Sequence, residues 1–243
     1  MRYARTEQLL GEEGLEKLKK AHVTLCGLGA VGSFAAEALA RAGVGHLTLV
    51  DYDVVSESNI NRQLYALTST VGMKKSAVAE ARIKDINPEC EVTVFDCFIN
   101  EETTDTILDR PMDVVVDAID SLSSKVFLIK HARERNIPLV SSMGAAGKMD
   151  AGAIFSGDIS ETRICPLARS VRRRLHKMGI YDGVRCVYST EKAQNKNPST
   201  VGEEPGHDGH RTAPVLGSIS YLTAIFGLRV AGEAIGMILE APL

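Results

Sequence analysis

Apolar positions along the chain fall into two alternating rhythms. From Thr6 to Lys20, Leu9, Leu10, Leu15 and Leu18 recur at helical spacing with charges on the other face, which predicts an amphipathic helix. Ala21 to Cys26 is a short apolar run that reads as a strand. Gly27-Leu28-Gly29-Ala30-Val31-Gly32 then turns the chain into a helix running to Ala42. A second strand, His46 to Val50, ends in Asp51. A helix from Gly72 to Asn87 is stopped by Pro88, and Glu91 to Phe95 is a third strand. Val114-Val115-Val116 predicts a fourth, buried strand; the helix Ser123 to Arg135 follows, and Pro138 to Ser142 is a fifth strand. Parallel strands need a crossover between them, so this alternation predicts a doubly wound parallel sheet.

The rhythm changes after Met143. Gly144-Ala145-Ala146-Gly147 reads as a flexible turn, and Ile154 to Ile159 and Val184 to Ser189 read as additional strands. Between them Leu167 to Lys177 is a strongly basic helix. Thr190 to Thr212 carries Asn, Pro, Gly, Glu and His without an apolar period, as a mobile loop or lid would. No internal repeat and no linker between two cores is visible. The expected fold class is therefore α/β: a Rossmann-like doubly wound, mostly parallel sheet extended by antiparallel strands in the C-terminal half. All of 1–243 is expected to be one domain, with 1–143 as the nucleotide-binding half, 144–243 as a substrate-binding extension and 190–212 as its mobile loop.

Composition sharpens this. The chain has 243 residues, enough to bury a substantial core, and aromatics are only 5%, so that core must rest on Val, Ile, Leu and Ala. A formal net charge of -3 excludes a globally basic protein and confines any nucleic-acid contact to a local patch. The five cysteines are Cys26, Cys90, Cys97, Cys165 and Cys186. They form no C-x-x-C pair, and with a charged N-terminus and no signal peptide they read as free thiols in a reducing cytoplasm. The most membrane-like stretch, Ala213 to Leu239, is interrupted by Arg229 and Glu233 and reads as a buried helix.

The chemistry centres on Gly27-x-Gly29-x-x-Gly32, placed between a strand and a helix. The first glycine permits the tight turn, the second lets backbone approach a phosphate or ribose, and the third lets the helix pack against the strand. Free N–H groups at the helix start favour an anion. Asp51, ending the next strand, is placed to accept hydrogen bonds from ribose hydroxyls. A ligand-free glycine turn is the bland alternative, weakened by the acid and the strand–helix context. Up to this point NAD, FAD, SAM and ATP all fit. Asp53, Asn59, Arg62 and Gln63 follow at a strand's carboxyl end, Lys75 begins the next helix, and Asp120 follows the fourth strand. Hydride transfer has little use for two cations and a free acid there. A triphosphate does, with Arg and Lys neutralising it, Asp holding Mg²⁺ and Arg stabilising charge at the α-phosphorus.

Arg5, the glycine motif, Asp51-x-Asp53, Ser58-Asn59-x-x-Arg62-Gln63, Lys75 and Asp120 resemble the ubiquitin-activating-like superfamily of carboxylate-adenylating enzymes, over about residues 2 to 143. The second half is similar to the tRNA threonylcarbamoyladenosine dehydratases within it. The matching segments are Gly144-Ala145-Ala146-Gly147-x-x-Asp150, Asp158-Ile159, Pro166-Leu167-Ala168-Arg169-x-x-Arg172-x-x-Leu175, Val187-Tyr188-Ser189-Thr190-Glu191 and the closing Gly217-Ser218 with Ile225-Phe226-Gly227. One departure is Cys165, which precedes Pro166 where an acid is expected. The resemblance implies ATP-dependent, ligase-type activation of the threonyl carboxylate as an adenylate. Ring closure by the side chain's own nitrogen then expels AMP. It also implies that Asp51 holds the ribose, that Asn59, Arg62, Gln63 and Lys75 contact phosphates, and that Asp120 serves Mg²⁺. Arg5 would reach the partner subunit's phosphates in a homodimer. The same resemblance leaves room for a monovalent cation (Na⁺ or K⁺) and for cysteine-desulfurase or sulfur-acceptor partners.

Arg169, Arg172, Arg173, Arg174 and Lys177, with His176 among them, concentrate positive charge on one helix. A solvated helix face is the plain reading; in an acidic chain, a patch for the tRNA backbone is the stronger one, with Lys192 and Lys196 adding to it. Cys165, at a loop–helix junction beside Arg163, is a candidate nucleophile, while the other cysteines read as packing residues. His207-Asp208-Gly209-His210 resembles a metal loop only superficially. Three other functions compete: an activator of a ubiquitin-like or sulfur-carrier protein, a non-catalytic nucleotide-binding adaptor, and a nicotinamide oxidoreductase. The first commonly carries two C-x-x-C zinc pairs, absent here, and the other two leave Arg62, Lys75 and Asp120 without a task.

Overall fold

The computed structural model describes residues 2–194 and 216–240. In chain order its main elements are α1 (Ala4–Lys20), β1 (His22–Cys26), α2 (Gly32–Ala42), β2 (His46–Val50), α3 (Lys75–Ile86) and β3 (Glu91–Phe95). There follow α4 (Glu101–Leu108), β4 (Val114–Asp117), α5 (Leu122–Glu134), β5 (Leu139–Ser142), β6 (Ile154–Asp158), α6 (Pro166–His176), β7 (Arg185–Ser189) and α7 (Ser220–Glu240). The strands form one sheet in the order β3-β2-β1-β4-β5-β7-β6. Of the two strands after Met143, β7 extends the parallel set beside β5, and β6 reverses to run antiparallel to β7.

Side chains on a strand alternate between faces, and the sheet uses this to build two cores. Val114 and Val116 of β4 face a cluster holding Leu39 of α2, Ile83 of α3 and Phe226 of α7. Val115 faces the other way, toward Ile107 of α4, Leu128 of α5 and Val171 of α6. Each such fully buried valine contributes about 1.5–3 kcal/mol. Strand β4 thus reads as a continuous apolar run because both its faces are covered.

One boundary and one whole element differ from the sequence expectation. Helix α3 starts at Lys75, not Gly72, because Gly72 adopts φ +87 and Met73 and Lys74 stay extended against Val54 and Val55. This shift brings Lys75 to the helix start. The short helix α4 was not expected at all: its Thr- and Glu-rich sequence has little apolar period. It exists through an Asn100 cap, whose Oδ1 accepts from Thr103 N at 2.8 Å. Asp105 then docks it on α5, 2.7 Å from His131 Nδ1 and 2.6 Å from Arg135 Nη2.

Helix α7 is long and apolar enough to cross a membrane by length and composition. Its Leu222, Phe226, Val230, Ala231, Ala234 and Ile238 are nevertheless buried in the protein. The beginning of the stretch expected as this helix, 213–215, lies outside the described residues, as does most of the expected loop 190–212.

Candidate active site

The strand order reverses direction between β1 and β4, and a cleft of about 830 Å³ opens there at the carboxyl ends of the strands. Its floor is the turn after β1. Gly27 has φ +92, and a Cβ there would lie 2.8 Å from Ala118 O; at Gly32 a Cβ would lie 1.8 Å from Gly27 O. Only glycine fits either position. Gly27 and Gly29 line the cleft, while Gly32 sits behind the turn at the start of α2.

Asp51 leaves β2 buried. Its Oδ2 accepts from Leu28 N at 2.6 Å and its Oδ1 from Asp53 N at 2.8 Å, so one carboxylate fixes the glycine turn to the β2 exit. Burial pushes the Asp51 carboxyl above its usual range; the Lys75 ammonium and the two amide donors oppose that shift. Each Asp51 oxygen accepts one amide bond, which leaves the carboxylate further acceptor capacity in a dry setting.

The stretch after Asp51 folds on itself. Asn59 Oδ1 accepts from Ser56 N at 3.2 Å, Gln63 N donates to Asn59 O at 2.9 Å, and the Arg62 guanidinium donates to Ser58 O at 2.8 Å and Asn61 Oδ1 at 2.9 Å. Lys75 is buried on the first turn of α3 and donates to Asp53 Oδ2 at 2.7 Å. Asp51, Asp53, Asn59, Arg62, Gln63, Lys75 and Asp120 all line the one cleft, although α3, β3, α4 and β4 lie between the first and the last along the chain. Two cations and three acids thus gather around a glycine turn, the kind of donor set that can neutralise a polyphosphate.

Other expected residues lie elsewhere. Arg5 is exposed on the first turn of α1 and does not line the cleft. On α6 the basic set divides: Arg172 donates to the carbonyl and hydroxyl of Thr162, and Arg174 donates to Ser123 Oγ at 2.9 Å, whereas Arg169, Arg173 and Lys177 are exposed. The division follows from Ala168, Val171 and Leu175, the apolar stripe that turns its neighbours inward. Cys165 is 1% exposed and absent from the cleft wall, a packing residue at the cap of α6 and not an accessible nucleophile. Lys196 and the His207–His210 segment lie outside the described residues, and so does any metal reading of that segment.

Two buried lysines do not stand out in the sequence. Lys125 on α5 is fully buried and donates to Asp117 Oδ2 at 2.7 Å and Ser142 O at 3.0 Å. Asp117 Oδ1 in turn accepts from Ile119 N at 3.1 Å. The pair thereby ties together the exits of β4 and β5, which form adjacent walls of the cleft. The available signal for Lys125 was its spacing: it falls four residues before Ile129, on the buried side of the helix. Lys148 is also buried, with its Nζ on Gly144 O, and burial lowers its pKa.

The model of the ThiF family matches residues 3–243. The chain is 43% identical over 240 residues to the tRNA threonylcarbamoyladenosine dehydratase of Bacillus subtilis, spanning 96% of this chain and 92% of that protein. Among solved structures it is similar to the Escherichia coli tRNA N6-threonylcarbamoyladenosine dehydratase. The ATP complex gives a TM-score of 0.86 at 37% identity and the AMP complex 0.87 at 38%; each covers 98% of this chain and 93% of that one.

Proposed function

The chain belongs to the ThiF family, and from that premise we propose that it carries out ATP-dependent dehydration of threonylcarbamoyladenosine in tRNA through an adenylate of the threonyl carboxylate. The observation that carries this reading is the convergence of the glycine turn, Asp51, Arg62, Lys75 and Asp120 on one cleft. A carboxylate is a poor electrophile because it is anionic and lacks a leaving group. Transfer to AMP supplies the leaving group, and the displacement at the α-phosphorus needs cations where charge develops. Ring closure is then intramolecular, so holding the substrate in place supplies much of the rate.

Asp51 takes the ribose, and Asn59, Arg62, Gln63 and Lys75 take the phosphates. Asp53 orients Lys75 through their ion pair. Asp120, exposed on the cleft wall, would hold Mg²⁺ jointly with phosphate oxygens. Such an ion needs only one or two carboxylates when a nucleotide supplies the rest, and among the described residues no three His, Cys, Asp or Glu cluster as an independent metal site. Residues 1–143 form the nucleotide half and 144–243 the tRNA-facing half of one cytoplasmic domain. In a homodimer Arg5 of one subunit extends toward the other's phosphates. A bound monovalent cation (Na⁺ or K⁺) and sulfur-transfer partner proteins accord with the family reading.

The reaction is tested by incubating the protein with ATP, Mg²⁺ and tRNA carrying threonylcarbamoyladenosine. The expected product nucleoside is lighter by about 18 daltons, one water. An unchanged nucleoside removes this assignment. Pyrophosphate exchange that instead needs a small protein ending in Gly-Gly transfers the chain to the carrier-protein activators.

The tRNA surface has its own test. Arg169 and Arg173 are exposed on α6, whose first turn reaches the cleft through Leu167. Replacing both by alanine is expected to weaken tRNA binding and to flatten the dependence of log affinity on log salt by about 1–2 units. AMP affinity stays unchanged. Arg172→Ala and Arg174→Ala, acting at residues engaged by Thr162 and Ser123, affect folding stability more than the salt slope. An unaltered salt slope in the double variant would move the tRNA interface off α6.

A further inference from the structure

Past β5 the chain runs Gly144-Ala145-Ala146, across β4 from the glycine turn, and all three residues line the cleft. The flanking N–H groups are engaged: Met143 N donates to Val187 O at 2.8 Å and Gly147 N to Gly217 O at 2.7 Å. The N–H groups of residues 144, 145 and 146 find no acceptor among the described residues, although Ala145 is only 9% exposed. Gly144 and Ala146 beside it are half-buried, so these donors face the cleft, where a ligand or water has to accept from them.

The surroundings favour an anion as that acceptor. Lys148, 3% exposed, donates to Gly144 O and so occupies the nearest carbonyl that would repel negative charge. The first turn of α6 packs on Gly144, where a Cβ would meet Cys165 Sγ at 3.5 Å and Leu167 Cβ at 3.7 Å. The lead-in to α7 is bonded to the same turn through Gly217, and Ser218 and Thr223 line the cleft. The first turns of α6 and α7 thus stand beside this wall. Glu191, the acid whose charge acts on Lys148, is engaged by the amides of Met149 and Asp150 at 2.9 and 2.8 Å.

Building on the dehydratase reading, we propose that the Gly144–Ala146 amides are the subsite for the acyl carboxylate and, later, for the oxyanion formed from it. One carboxylate oxygen attacks the α-phosphorus, and the new O–P bond forms as the bond from that phosphorus to pyrophosphate breaks. The other oxygen rests on the amides. When the carbamoyl nitrogen adds to the acyl carbon it yields its proton to water, and the carbonyl oxygen takes on the negative charge. Collapse restores the carbonyl, breaks the C–O bond to the phosphoryl group and releases AMP, which carries away the lost oxygen. Charge on that oxygen peaks in the transition state, so these donors act on turnover more than on binding. Lys148 is a positioning residue that holds the Gly144 carbonyl back.

Ala145→Pro and Ala146→Pro each delete one donor. In each, kcat for tRNA dehydration is expected to fall about a hundredfold while AMP affinity stays within about threefold of the wild type. Lys148→Gln keeps the backbone intact and is expected to lower kcat about tenfold without changing the KM for tRNA, with Lys148→Arg restoring part of it. Burial lowers the Lys148 pKa, so its charge costs stability at neutral pH, and that stability returns as pH rises toward the ordinary lysine value. The Gln variant therefore melts no earlier than the wild type at pH 7. Near-wild-type turnover in both proline variants overturns the subsite, as does a parallel fall in AMP affinity and kcat. If the proline variants do not fold, unchanged kcat in Lys148→Gln overturns it. A wild-type protein that yields no dehydrated nucleoside sinks the reaction assignment instead, which keeps the two failures apart.

Discussion

Lys75→Ala is expected to lower tRNA-dependent pyrophosphate release by about a thousandfold or more. The Lys75 side chain is 6% exposed and its ammonium lies 2.7 Å from Asp53, so it acts in a setting where water screens little. Removing it does more than delete one phosphate contact. Asp53 is left without its ion-pair partner beside the buried Asp51, and a locally balanced wall becomes one that repels a triphosphate. The Asp51 carboxyl, already raised by burial, loses the largest influence holding it down. A raised carboxyl stays protonated to higher pH, so any residual activity should show its acid limb displaced upward relative to the wild type. A pH–rate profile with quantified pyrophosphate checks both parts. Arg62→Ala should act in the same direction but less strongly, since its guanidinium stands half-buried on a loop and leaves no buried carboxylate behind. Wild-type turnover in Lys75→Ala would remove the phosphate assignment.

The second large effect concerns stability. Lys125→Met should cost about 3–5 kcal/mol, because it strands the Asp117 carboxylate in a site with no solvent exposure. Asp117 would keep its bonds from Ile119 N and Ser141 Oγ, but no cation would compensate its charge. Urea denaturation reads the loss as a lower midpoint at unchanged slope. Combining Lys125→Met with Asp117→Asn should recover part of it, since the price of a broken buried pair lies in the orphaned charge rather than in the lost attraction. Equal midpoints for Lys125→Met and wild type would mean that the pair holds nothing together.

Much of the architecture was legible in the order of apolar residues. The run Val114-Val115-Val116 announces a strand covered on both faces, and the glycine spacing after Cys26 announces a turn that admits no side chain. Local signals failed where a distant part of the chain decides the conformation. Helix α4 depends on Asn100 for its cap and on His131 and Arg135 for its docking, neither visible in its own eight residues. The start of α3 is set by pairing with Val54 and Val55, some twenty residues upstream. In the site, the acids and cations after Asp51 could be read because they cluster in sequence. Lys125 and Lys148 escaped notice because each stands in a locally polar stretch, where a lysine reads as a surface residue, and only the fold shows that it is buried. The division of the α6 arginines was likewise hidden: their charge is evident from the sequence, but the Thr162 and Ser123 acceptors are not.

The central claim is that this cleft joins the tRNA's carboxylate to AMP before water is lost. Substrate tRNA carrying heavy oxygen in the threonyl carboxylate tests it directly. After one turnover with ordinary ATP and water, the phosphate of AMP should contain one heavy oxygen per dehydrated nucleoside. AMP without the label, or heavy oxygen found in inorganic phosphate beside ADP, would contradict adenylation at this site.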